Sequence, residues 1–161
     1  MTPILQAAAA AVVALGTGAT AVTVMTKDVP DFAVPDRQWQ PGAELDGRAF
    51  RLSGAITETG ADLPETVLSF VDGRFQSSRC QIYCEFGWND YRTSRDGETI
   101  HFTSTTRCPD APHTVVWYGI VEGDEMRVEG TWTTRRWYWT RQINLLAEGS
   151  PTSPKVEAIS G

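Results

Sequence analysis

The strongest constraint on this chain is the alternation within residues 114–146, TVVWYGIVEGDEMRVEGTWTTRRWYWTRQINLL. Met126, Val128, Gly130 and Trp132 fall on one side of a two-residue period, and Arg127, Glu129, Thr131 and Thr133 fall on the other. That period, enriched in β-branched and aromatic residues, describes half-buried antiparallel strands. Glu122-Gly123-Asp124 separates a run over 115–121 from one over 126–133, and Thr134-Arg135-Arg136 reads as the turn before 137–146. Six of the sixteen aromatic residues lie in this meander, so a core or a cavity is built around it.

The same pattern extends upstream. Runs over 49–56, 66–71, 74–80, 88–94 and 99–106 bring the total to eight, with Asp72-Gly73 and Asp96-Gly97 at two of the joins. Asp-Gly between apolar runs is the strongest short-range hairpin signal. No heptad, solenoid repeat or convincing amphipathic helix follows residue 27. The expected fold is all-β, an eight-stranded antiparallel up-and-down barrel over residues 43–147, because closure removes the unpaired edges of a long meander.

The ends read differently. Residues 3–26 carry no charged side chain and contain Ala19-Thr20-Ala21, a pattern that suits signal cleavage after Ala21. The segment lacks a basic start, and it reaches the ~20 apolar residues that span a bilayer. Residues 1–26 are therefore expected to be a hydrophobic helix that serves as a signal peptide or a membrane anchor, with a plain soluble helix as the third alternative. Pro30, Pro35 and Pro41 make 27–42 an extended connector whose one bulky residue, Trp39, is expected to dock on the domain. Residues 148–161, rich in Gly, Ser and Pro, are expected to form a disordered tail. The net charge of −6, with the arginines scattered, argues against a nucleic-acid partner.

Three segments carry a resemblance. LSFVDGRFQSSRC, GETIHFTS and VVWYGIVEGDEM followed by EGTW together cover roughly residues 66–133. They resemble the calycin group, the lipocalin-like small barrels, and among them exported bacterial barrels of uncharacterised type. The DGRF…C…Y…IHFTSTTRC segment is also similar to the META/heat-shock-lipoprotein type of exported β-domain. Lipocalins begin their first strand with Gly-x-Trp, and an Arg on the last strand packs over that Trp. Here Trp39 stands without the Gly, and the resemblance implies Arg141 as its partner.

The interior of a small barrel is either filled by side chains or holds one small ligand. Alternation points Leu68, Phe70, Phe75, Ile100, Phe102, Met126, Val128 and Trp132 inward, and Gly119 would leave room beside Trp117. A filled core accounts for this face without any ligand, and a ligand-sized cavity accounts for it too. If there is a cavity, Phe75, Phe102, Trp117, Met126 and Trp132 are its expected ligand-binding residues. Trp137, Tyr138 and Trp139, consecutive on a strand, must face both ways. With Arg135 and Arg136 beside them, Trp137 and Trp139 form a candidate rim, or else a cross-strand stack beside solvated arginines.

The three cysteines gain meaning from export, since disulfides persist outside the cytosol. Cys80–Cys108 and Cys84–Cys108 are both conceivable, and Cys84–Cys108 is favoured because each lies in a loop beyond its strand, leaving Cys80 as a buried thiol. The cysteines and the two histidines, His101 and His113, lack zinc-like spacing, so no metal site is expected. No nucleophile is tied to a base by a recognisable motif, and neither catalytic residues nor cofactors are expected. The sequence thus reads as an exported, non-catalytic barrel that binds a small hydrophobic or amphipathic molecule. The alternative is a membrane-anchored accessory subunit whose periplasmic β-domain contacts another exported or membrane protein, one version being protease-inhibitor-like binding.

Overall fold

The computed structural model describes residues 34–154; the segment expected to be a signal or anchor and the last seven residues lie outside them. The described elements run in the order β1 Gln40–Pro41, β2 Ala49–Ile56, β3 Thr66–Val71, β4 Arg74–Ser77, α1 Ser78–Cys84, β5 Asn89–Asp96, β6 Thr99–Arg107, β7 His113–Glu122, β8 Glu125–Arg136 and β9 Trp139–Thr152. No helix among these residues is long and apolar enough to cross a membrane.

All nine strands belong to one antiparallel sheet. From β2 to β9 each strand pairs with the next in sequence, and β9 returns to β2 along Ala49↔Thr152 to Ile56↔Leu145, which closes a ring of eight. The ninth strand is β1, two residues that pair with Arg92 and Thr93 on β5 where β4 has ended. Turn chemistry sets the tight joins. Asp72 and Gly73 both have positive φ, 50° and 73°, and this left-handed pair turns β3 into β4.

Four expectations need correction. The run over 74–80 is not one strand: β4 stops at Ser77, whose side chain caps α1 by accepting from the Cys80 amide. At seven residues α1 is too short to show a 3.6-residue period against the strands around it. The Thr134-Arg135-Arg136 turn is in fact strand, and the hairpin reverses at Trp137 and Tyr138 instead. Residues 148–152, expected to be tail, are strand, because their backbone pairs with β2 and β8 and needs no apolar side chains to do so. Trp39 does not meet Arg141. It packs edge-on against Tyr118 at 6.5 Å, whereas Arg141 pairs across Thr134 near the hairpin tip.

The two ends of the ring differ. The end bearing the 72–73 and 123–124 turns is solid, with Phe70 packed 5.0–6.3 Å from Phe50, Phe75, Tyr91 and Phe102. Leu45, fully buried, plugs it from the 43–47 turn, and the Tyr91 hydroxyl ties that plug down by donating to Asp46 and accepting from the Leu45 amide. The opposite end carries α1, the 108–112 loop and the β8–β9 tip.

A strap over residues 34–41 lies along the outside of β5–β7. Arg37 donates to His101 Nε2 at 2.8 Å, so His101 holds its proton on Nδ1, 2.8 Å from the Tyr118 hydroxyl. Burial first, and then Arg37, hold His101 below its ordinary value, opposed by Asp96 and Glu122. The unfolded chain, near 6.5, therefore binds the proton more readily than the folded one. This contribution to stability is complete above pH ~6.5 and is lost as pH falls towards the folded value. His101→Gln should flatten the fall in melting temperature between pH 7.5 and 5. A residual slope of the same sign should remain from His113, which burial and Arg136 also lower. An unaltered slope would contradict the strap's dependence on a neutral imidazole.

Candidate functional site

The α1 end of the ring is hollow. A cavity of about 180 Å³ lies beneath α1, walled by Leu52 and Ile56 of β2, Val115 and Trp117 of β7, Trp132 of β8, and Ile143 and Leu145 of β9. Cys80, Ser77 and Arg79 close it from the β4–α1 side, and Leu63, Pro64 and Thr66 from the approach to β3. Leu145 leans over the bare Cα of Gly130, where an added Cβ would crowd it at 3.0 Å.

The uncharged polar side chains in this wall already have partners. Ser77 Oγ takes the Cys80 amide, Thr66 Oγ1 donates to Pro64 O, and Trp117 Nε1 donates to Thr106 Oγ1 at 3.3 Å. Trp132 Nε1 donates to Thr134 Oγ1. Burial pushes the Cys80 thiol up to about 11, so it remains protonated at neutral pH and is a poor nucleophile. Such a lining can select by shape and apolarity, and it offers no activated group for chemistry on a bound molecule.

Among the five residues expected to contact a ligand, Trp117 and Trp132 line the cavity. Phe75, Phe102 and Met126 belong to the solid part, with at most 1% of each surface exposed. The room expected beside Trp117 is taken: a Cβ on Gly119 would overlap the Phe102 ring, so that glycine makes space for the core rather than for a ligand. Period-two reasoning sorts inside from outside, but it cannot tell how far along the axis an inward ring will tilt.

Aromatic side chains at the end of α1 gather around Trp132. Cys84, the last residue of α1 rather than a loop residue, is bonded to Cys108 at a Cα separation of 5.6 Å, which staples the helix to the 108–112 loop. Tyr83 stands edge-on to Trp132 at 4.8 Å, and Phe86 lies 5.5 Å from the same indole. The expected rim residues separate. Arg136 and Trp139 line a shallow depression outside the cavity, together with Arg79, Arg141 and Tyr83, while Arg135 faces a different groove on the outer wall beside Arg107 and His113. Trp137, 94% exposed, stands at the hairpin tip. Sequence reasoning missed Leu52, Ile56, Ile143 and Leu145. Their alternate spacing within each strand was the available signal.

No family model, curated protein or solved structure matches this chain.

Proposed function

We propose that this chain is an exported, lipocalin-like barrel that binds a small hydrophobic or amphipathic molecule without transforming it. One observation carries the reading: an apolar space of about 180 Å³ persists at one end of a ring whose other end is packed solid. Packed interiors leave few voids larger than a water molecule. An apolar cavity of ~150 Å³ is known to stay dry and to take up benzene. The Cys84–Cys108 bond supports export, since such bonds persist in oxidising compartments.

A naphthalene-sized fluorescent probe such as 1-aminonaphthalene should bind with a Kd of roughly 10–100 μM, about −7 to −5.5 kcal/mol. Leu145→Phe, which fills the space, should abolish binding without lowering the melting temperature. Trp132→Ala should weaken binding while the protein stays folded. No binding by the parent, together with a large loss of stability in Trp132→Ala, would refute the reading. That result would favour the accessory-subunit alternative, for which the exposed Trp137 and Tyr138 at the hairpin tip are the supporting observation.

A further inference from the structure

The cavity and the depression outside it are adjacent and share Arg79, Trp132 and Ile143 in their walls. Arg136 and Arg141 stand in the outer part with Arg79, and neither lining contains an Asp or Glu. The four ion pairs among the described residues engage Arg37, Arg48, Arg51 and Arg95, so these three guanidiniums have no carboxylate partner there. In a chain of net charge −6, a mouth whose charged side chains are all arginines is not a random sample of the surface.

Building on the binding reading above, we propose that the ligand is an anionic amphiphile. Its apolar part occupies the cavity, and its carboxylate or equivalent headgroup meets Arg79, Arg136 and Arg141 at the mouth. The division follows from desolvation. An ionised group would lose its water among the apolar side chains deep in the cavity, whereas at the mouth it keeps water and gains charge-assisted hydrogen bonds from planar guanidiniums. Exposed arginines also hold an anion without first breaking an internal pair. The cavity sets the tail length. Its volume is close to that of the ~150 Å³ space that takes six-carbon benzene, so a tail of about six to eight carbons fills it.

The test is calorimetric titration of the full chain with butanoate, hexanoate, octanoate, octanol and octylammonium at pH 7. Affinity should rise about three- to fourfold per methylene along the carboxylates up to octanoate. Octanoate should bind roughly tenfold more tightly than octanol, a difference of about 1.4 kcal/mol, and octylammonium more weakly than either. The triple variant Arg79→Gln, Arg136→Gln, Arg141→Gln should bring octanoate down to the octanol affinity, and 0.5 M salt should erode the preference in the parent by screening. Equal binding of octanoate and octanol by the parent, or a preference that survives the triple variant, would overturn the headgroup assignment and leave apolar binding standing. Failure of every ligand, octanol included, would overturn both readings.

Discussion

Phe70→Ala should destabilise the protein by about 3–5 kcal/mol, the cost of removing a large buried aromatic from a packed core. Phe70 is fully buried and touches four other rings, so no single neighbour can move in to fill the space it leaves. Its removal should lower the midpoint of urea unfolding and lower the melting temperature by roughly 10–20 °C. Trp132→Ala, at the hollow end, removes more atoms and should nevertheless cost less. Trp132 is only partly buried, and the space it borders is already empty. Equal costs at the two positions would contradict a ring that is solid at one end and hollow at the other.

Loss of the Cys84–Cys108 bond is the second large effect. Closing a loop of 24 residues restricts the unfolded chain by about 3–4 kcal/mol in the chain-entropy account. Cys108→Ser should reduce stability by that order, and it should also free the carboxyl end of α1, which the bond pins beside Trp132. Probe binding should weaken with it, because Tyr83 would no longer be held against Trp132 at the mouth. Thiol counting on the denatured, oxidised protein should find one free thiol, that of Cys80. Three free thiols would contradict the bond.

The ring was legible because its strands state their period repeatedly. Met126, Val128 and Trp132 alternate with charged and hydroxylated residues, and Asp72-Gly73 marks a hairpin by chemistry that few other pairs share. The pairing of Cys84 with Cys108 was anticipated, although the argument placed Cys84 in a loop rather than at a helix end. Other features leave weaker marks. Strand pairing in residues 148–152 is a backbone matter, so a Gly-Ser-Pro composition conceals it. The helix of 78–84 is two turns long, and its N-cap, Ser77, is also the last residue of a strand. The cavity's position was illegible for a different reason. Phe75, Phe102 and Trp117 all face inward, but only tertiary packing decides that the first two fill the ring while the third borders the space.

The central claim is that the space beneath α1 takes up a small apolar molecule. Methyl-resolved NMR of the full chain titrated with benzene tests it most directly. The predicted result is a saturable shift confined to the methyls of Leu52, Ile56, Val115, Ile143 and Leu145, with those of Leu68, Val121 and Val128 in the solid core unmoved. A titration that leaves the first group unmoved at the solubility limit of benzene would contradict the account.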